Sequence, residues 1–145
     1  MQIDIRKKED RNVLGKIEWL FCDSNRAQEK GCVLYDAEED FITAVIAYSE
    51  THDSKDQIQE ILSAEIFRSD GQGLNLEHTF SVYVDTDARD EFNNLIAVRL
   101  MIQAETVASL LMQIHNQLTH YYLADHLFYE GFGYYEGALM LQLGS

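Results

Sequence analysis

Apolar residues recur at helical spacing in three segments of the chain. The longest set lies near residues 105–123 and consists of Val107, Leu110, Leu111, Ile114, Leu118 and Tyr121. Because this spacing places every member on one side of a helix, it predicts a long helix with one buried face. A second set predicts a shorter helix: Ile58, Ile61, Leu62 and Ile66.

The N-terminal residues allow two interpretations. Ile3 and Ile5 alternate with polar residues and predict a short strand within residues 1–7. Asp10 can then cap a helix whose apolar positions have helical spacing: Val13, Leu14, Ile17, Leu20 and Phe21. The same region also contains an alternating set, which predicts a strand running to Asp23: Ile17, Trp19 and Phe21. Both predictions stay open at this level.

Alternating and continuous apolar runs predict four further strands. Residues 32–35 and 41–48 are rich in Val, Ile, Phe and Tyr, and an acidic turn at residues 36–40 joins them. Residues 74–85 alternate strictly between apolar and polar, which predicts one buried side and one solvent-facing side. Residues 95–102 are almost continuously apolar, which predicts a strand buried on both faces and paired with the strand before it.

These elements follow one another without a regular alternation of strand and helix, which predicts an α+β fold. We expect a mostly antiparallel β-sheet packed against two or three helices. A length of 145 residues agrees with a single acidic globular domain formed by residues 1–145. No apolar run predicts a membrane span or a signal peptide, so we expect a cytoplasmic protein without a membrane partner.

The two cysteines, Cys22 and Cys32, have neither CxxC spacing nor a nearby histidine for a zinc site. One disulfide between them is conceivable. Both lie beside apolar residues, however, where a free thiol usually packs as a small hydrophobe. We therefore predict buried, inert thiols in a reducing compartment.

Charge is distributed unevenly along the chain. The formal net charge is −14, and residues 36–91 contain fifteen acids against three bases. A negative field of this kind repels phosphate backbones, so direct binding of DNA or RNA is not expected. It attracts a basic protein surface instead and raises the association rate at low salt. The simplest alternative is that the charge only keeps the protein soluble.

We select acids of this region and tyrosines near the C-terminus as candidate partner-binding residues. The tyrosines suit this role because the ring buries a large area while the hydroxyl stays hydrated. The candidates are Asp36, Glu38, Glu39, Asp40, Asp53, Asp56, Asp85, Asp87, Asp90, Glu91, Tyr129, Tyr134 and Tyr135.

Neither the acids nor the histidines match a metal site. Counted from Asp85, the sixth and twelfth positions of a calcium loop hold aspartate and isoleucine instead of the required glycine and glutamate. Asp87 and Asp90 instead suit the start of a helix within a long connection. His115 and His120 are five residues apart, which places them on different sides of a helix. We predict no metal and no cofactor.

No motif for catalysis is present. The chain has no GxSxG elbow and no P-loop, and the GxGxxxG at residues 131–137 is one residue longer than the dinucleotide fingerprint. Residues 100–145 contain no Lys or Arg, which disfavours single-stranded nucleic acid as a ligand of the Tyr- and Gly-rich segment.

We therefore predict a non-enzymatic protein-binding module. It would bind and block a basic partner such as a nuclease, toxin or defence complex, as immunity and anti-restriction proteins do. A small enzyme with an unrecognised site is one alternative. Another follows from the order of helix, two strands and helix within residues 58–118, which loosely resembles the end of the small acidic chaperones of type III secretion. That resemblance covers about half of the chain and implies a homodimer.

Overall fold

The computed structural model describes residues 1–24, 26, 32–49, 55–67, 79–123 and 127–144. Its helices are α1 (Lys8–Leu14), α2 (Glu38–Tyr48), α3 (Lys55–Leu62) and α4 (Val107–Leu118). Its strands are β1 (Gln2–Asp4), β2 (Glu65–Phe67), β3 (Thr79–Arg89), β4 (Leu95–Gln103), β5 (Phe128–Tyr135) and β6 (Ala138–Gly144). None of the helices in these ranges has the length and apolar character needed to cross a lipid bilayer.

Four strands form the main sheet, in the order β4-β3-β6-β5. The pairs β3–β4 and β5–β6 are antiparallel, whereas β3 and β6 pair in parallel at the centre. Strands β1 and β2 form a separate parallel pair. The predicted α+β fold with a mostly antiparallel sheet is confirmed.

Helix α4 packs on the inner face of the main sheet. It begins after Thr106, whose Oγ1 accepts a 3.1 Å hydrogen bond from the backbone N–H of Ser109. Five of the six residues of the predicted apolar side are buried in the helix: Val107, Leu110, Leu111, Ile114 and Leu118. The sixth, Tyr121, follows the end of the helix and is half-buried. The inner residues of the sheet belong to the same core: Phe80, Val82, Val84, Leu100, Ile102, Leu139 and Leu141. The prediction of a long helix near residues 105–123 is confirmed.

Residues 41–48, predicted as a strand, lie in α2 instead. Phe41 and Val45 are one helical turn apart and both are fully buried. The acids before them form the first turn of the helix, where carboxylates meet the positive end of the helix dipole. A short apolar run does not distinguish a buried helix from a strand, and this explains the wrong prediction.

Two neighbouring predictions change in smaller ways. Residues 32–35 have no regular secondary structure, so the strand predicted there is wrong. The second predicted helix is present as α3, but Ile66 lies in β2 because the helix ends at Leu62.

The N-terminal segment contains both of the structures that its pattern allows. The short strand is present as β1, and a helix is present as α1, but it begins at Lys8 and ends at Leu14, so Asp10 lies in its first turn and does not cap it. Beyond it the chain is extended, and alternate residues are buried: Ile17, Trp19, Phe21 and Asp23. Its backbone pairs with the start of β5, because Phe21 N–H donates to the Leu127 carbonyl and Tyr129 N–H to the Trp19 carbonyl, both at 2.9 Å. The alternating interpretation is therefore correct for residues 17–23.

Residues 95–102 form a strand that pairs with β3, as predicted, but their expected burial on both faces is wrong. Leu100 and Ile102 are buried, whereas Leu95 and Ile96 are 51% and 41% exposed. The reason is that only the C-terminal half of β4 lies beside α4. Of the strand predicted at residues 74–85, the part before Thr79 lies outside the described residues.

The two cysteines form a disulfide, so the prediction of free thiols is wrong. Cys22 and Cys32 are bonded to each other across a sequence separation of ten residues. Their apolar neighbours suggested burial, but both residues are only half-buried. A disulfide is typical of an oxidising environment, so the cysteines give no support to the reducing compartment that we expected.

Candidate protein-binding surface

The hairpin of β3 and β4 extends beyond the core, and we call its residues 85–97 the hairpin arm. Every residue from 89 to 97 is exposed. Thr86 is buried, and its hydroxyl donates a 2.8 Å hydrogen bond to the carbonyl oxygen of Ile96. This bond joins the two strands where their register shifts, between Asp85 and Arg89. The arm is therefore an ordered extension of the sheet.

Asp90 organises the turn at the tip of the arm. Its Oδ1 accepts hydrogen bonds from the backbone N–H groups of Phe92 and Asn94, both at 2.9 Å. Backbone bonds of 3.0 Å also join Asp90 N–H to the Asn94 carbonyl and Asn93 N–H to the Asp90 carbonyl. Asn93 has a φ of 64°, in the left-handed region that asparagine tolerates better than most residues.

The helix start predicted at Asp87 and Asp90 is therefore wrong. Asp87 belongs to β3, and Asp90 begins a tight turn. An aspartate that accepts from nearby backbone amides suits such a turn as well as it suits the start of a helix, so the residue type alone did not decide between them.

Three apolar side chains are exposed on the arm. Phe92 lies at the tip and is 76% exposed, and Leu95 and Ile96 follow on β4. Because successive residues of a strand point to opposite faces, Leu95 and Ile96 lie on different sides of β4, and Phe92 is the most exposed of the three. None of the three was among the candidates predicted from the sequence. The adjacent asparagines at 93 and 94, which favour turns between strands, were the signal that could have located the tip.

The arm brings together four of the predicted acidic candidates. It contains Asp85, Asp87, Asp90 and Glu91 against one base, Arg89, which gives a formal charge of −3. Three of these carboxylates are exposed, and the side chain of Asp87 lies outside the described part of the structure. The guanidinium of Arg89 donates to the Asn93 carbonyl at 2.8 Å and so supports the turn.

The remaining acidic candidates do not join this surface. Glu38 accepts a 2.7 Å hydrogen bond from the hydroxyl of Thr106, which follows the far end of β4. The nine residues of β4 therefore separate the first turn of α2 from the tip of the arm by roughly 30 Å. Asp36, Glu39 and Asp40 lie at the same end as Glu38.

The structure does not describe the side chains of two acidic candidates. Asp53 lies outside the described residues. Asp56 is in α3, but its side chain is outside the described part as well.

The three candidate tyrosines differ in their exposure. Tyr129 is buried, its hydroxyl donates to the Leu14 carbonyl at 3.0 Å, and burial raises the pKa of its phenol. Its ring is therefore part of the core and not of the surface. Tyr134 is half-buried, with the guanidinium of Arg11 5.6 Å from its ring centroid. Tyr135 is 68% exposed.

Tyr135 lines a shallow groove on the outer face of the main sheet. The groove has a volume of about 310 Å³, and its other lining residues are Tyr83, Glu136, Ala138 and Met140. Tyr83 and Met140 are directly opposite each other on β3 and β6. Since Tyr135 pairs with Ala138 at the start of β6, the groove lies toward the end of the sheet away from the arm. Tyr135 thus lies apart from the tip of the arm, although Tyr83 of the groove is two residues from Asp85 on the same side of β3.

His115 occupies a buried position that the sequence analysis did not identify. The Nε1–H of Trp19 donates to His115 Nδ1 at 3.2 Å, so the imidazole proton is on Nε2 and is donated to the Val33 carbonyl at 2.9 Å. Burial lowers the pKa of this imidazole. The side chain of the adjacent Asn116 bonds the backbone of Tyr35: its Oδ1 accepts from the Tyr35 N–H at 3.0 Å, and its Nδ2 donates to the Tyr35 carbonyl at 2.7 Å. These contacts hold residues 32–35 against α4, which is a structural role.

In the described part of the chain, no three His, Cys, Asp or Glu side chains converge as the ligands of a metal ion would. Comparison of this chain with family models, curated proteins and solved structures gives no match. The hairpin arm is therefore the main candidate for a functional surface.

Proposed function

We propose that this protein is a non-enzymatic binding module that attaches to a basic partner protein through its hairpin arm. One observation carries the proposal: an ordered, fully exposed hairpin tip presents Phe92 beside an excess of carboxylates. Interfaces commonly combine an aromatic anchor at the centre with polar groups around it. The charge of the arm has the sign that steers a basic surface toward it.

The same geometry favours a blocking role. A projecting hairpin can enter a concave surface, and its carboxylates carry the same sign of charge as a phosphate backbone. A basic cleft that binds nucleic acid or another polyanion is therefore a suitable receptor. We propose that the partner is an enzyme, toxin or defence complex with such a cleft.

Neutralising the arm tests the role of its charge. The arm variant carries Asp85→Asn, Asp87→Asn, Asp90→Asn and Glu91→Gln. The control carries the same change in net charge at exposed glutamates elsewhere: Glu9→Gln, Glu60→Gln, Glu105→Gln and Glu130→Gln. Partners are captured from the source lysate at low and moderate salt and identified. Each partner is then purified, and its association rate with the wild type and both variants is measured by surface plasmon resonance.

The expected result is a basic partner whose association rate falls with salt and falls by about tenfold or more in the arm variant alone. Equal losses in both variants would show that only the overall charge matters. No loss in either would contradict the role of the arm, and the absence of any basic partner would contradict the proposed function.

Phe92 provides a test that leaves the charge unchanged. Phe92→Ala removes the exposed anchor, and we expect about a tenfold or larger loss of affinity for the purified partner, chiefly through faster dissociation. Tyr122→Ala, at another exposed aromatic residue, is the matched control and should bind as the wild type does. If the two variants bind equally well, Phe92 is not an anchor.

A further inference from the structure

One half of the outer edge of β4 is covered, and the other half is open. β4 is an edge strand of the main sheet. The side-chain amides of Gln113 and Gln117, one turn apart on α4, donate to the backbone carbonyls of Gln103 and Met101. These bonds occupy edge groups that would otherwise be free to pair with another strand. They cover only the C-terminal half of β4.

The direction of the remaining backbone groups follows from alternation along the strand. The Ile96 carbonyl faces β3, because it accepts from Thr86, whereas the Met101 carbonyl faces away from β3. Backbone groups of alternate residues point to the same edge, so the N–H and C=O groups of Ala97 and Arg99 face outward. Within the described ranges of the chain, no group pairs with these four atoms.

A carboxylate lies within reach of this open edge. Ala97 is directly opposite Asp85 on β3, and both are exposed. The methyl side chain of Ala97 leaves the edge-side approach to Asp85 open. A lysine on an added strand would lie two strand spacings from Asp85, roughly 10 Å, a span that the lysine and aspartate side chains can cover together.

We propose that an extended segment of the partner pairs with β4 at Ala97 and Arg99 as an additional strand. A lysine or arginine of that segment faces Ala97, and an uncharged residue faces Arg99, because the Arg99 guanidinium, which donates to the Ser81 hydroxyl, is a cation on the same side of the sheet. The backbone of the segment satisfies the open edge, and its basic side chain meets the carboxylates of the arm. A second copy of this chain is a poorer occupant, because each copy carries a formal charge of −14 and the two would repel each other. The inference rests on the proposed function and specifies how the arm recognises its partner.

A model peptide separates backbone pairing from charge attraction. The probe is a fluorescein-labelled peptide of about ten residues in which valine takes every second position and lysine and threonine take turns between the valines, so that threonine can face Arg99 when lysine faces Ala97. The control has the same sequence with N-methyl groups along the backbone. Binding to the full-length protein is measured by fluorescence anisotropy at low salt. We expect the N-methylated peptide to bind about tenfold more weakly or worse, although its charge is unchanged. Hydrogen exchange at the amides of Ala97 and Arg99 should slow only with the unmodified peptide.

A pair of substitutions tests the same edge from the protein side. Ala97→Pro removes an outward N–H that β3 does not use, and Ala97→Ser keeps that N–H and the small side chain. The proline variant should bind the peptide about tenfold more weakly, and the serine variant as the wild type does. Continued amide protection at Val98 and Leu100 shows that the hairpin remains paired. The two peptides test wild-type protein, so the result does not depend on how the proline variant folds.

The outcomes distinguish the two proposals. Equal binding of both peptides overturns strand addition. If the arm variant with four neutralised acids then binds both peptides more weakly, the arm attracts its partner by charge alone. If that variant binds the peptides as the wild type does, the proposed function itself is contradicted. Protection of Ala97 and Arg99 that rises with protein concentration, together with a doubled mass by sedimentation, would identify a second copy as the occupant and would also overturn the inference.

Discussion

His115 shows how much a single buried residue depends on its protonation state. In its neutral form it accepts from Trp19 and donates to Val33. A proton on Nδ1 would face the indole N–H and break the first of these bonds. Among the residues that contact the ring, Phe21, Phe41 and Trp19 are uncharged, and Tyr35 is a phenol whose pKa is raised by burial. No described carboxylate in this cluster compensates a positive charge.

We expect the stability of the protein to decrease between about pH 7 and pH 5 because of this residue. Burial lowers the pKa of His115, so the unfolded chain, with an ordinary pKa of about 6.5, binds the proton first. The stabilisation by neutral His115 is complete above the unfolded-state pKa of about 6.5 and is lost as the pH falls below it. Urea unfolding should show a steeper loss for wild type than for His115→Gln, by at most about 1.4 kcal/mol per pH unit. Equal losses of unfolding free energy with falling pH in the wild type and in His115→Gln would contradict this role of His115.

The disulfide is a second feature of single residues with a measurable effect. The bond between Cys22 and Cys32 closes a short loop and restricts the unfolded chain. We expect the Cys22→Ser, Cys32→Ser double variant to lose about 2–3 kcal/mol of unfolding free energy relative to oxidised wild type. A reducing agent should lower the stability of wild type and leave the double variant unchanged. Two titratable thiols in protein refolded under oxidising conditions would contradict the assignment.

At the scale of elements, the order of the arm depends on the carboxylate of Asp90. Asp90→Asn removes the charge but keeps an oxygen that can accept from Phe92 and Asn94, whereas Asp90→Ala removes both bonds. We expect the alanine variant to lose about 1–2 kcal/mol of local stability in the turn, and the asparagine variant to lose much less. Hydrogen exchange at the amides of Phe92 and Asn94 measures this, because global unfolding does not report on a peripheral turn. Equal protection in the two variants would argue against this role.

Elements differ in how well their pattern predicted them. Helix α4 was predicted correctly because its apolar residues recur over three turns and its other side faces solvent or the sheet edge. Helix α2 was not, because apolar residues occupy almost every position from Phe41 to Tyr48 and the period is hidden. The β3–β4 pairing was predicted, but the turn was not, because Asp90 and Asn93 suit both a helix start and a hairpin tip.

At the scale of the whole molecule, the net charge of −14 opposes compaction. We expect the thermal unfolding midpoint to rise when NaCl increases from about 10 to about 300 mM, because salt screens the repulsion between carboxylates. The arm variant with four neutralised acids should show a smaller rise. A midpoint that does not change with salt, measured by circular dichroism, would mean that the acids are too far apart to interact.

The sequence predicted some of the residues on the candidate surface but not which of them lie together. Composition alone identified an acidic segment, and four of its residues do share one arm: Asp85, Asp87, Asp90 and Glu91. The acids at the start of α2 lie at the other end of β4, and Tyr129 is in the core. Distance along the chain does not predict these separations, because the register of the strands decides which residues become neighbours.

The sequence by itself determined the α+β class, the long helix α4 and the acidic character of the molecule. These properties depend on local periodicity and on composition, which need no knowledge of distant contacts. Only the tertiary structure decided that Cys22 bonds to Cys32, that His115 is enclosed by aromatic rings, and that the first half of β4 extends past α4. The last two depend on residues far apart in the chain, whose proximity results from packing, and the disulfide depends on the path of the chain between two cysteines ten residues apart. The open edge at Ala97 and Arg99 is such a result, since it is open only because α4 ends before reaching it.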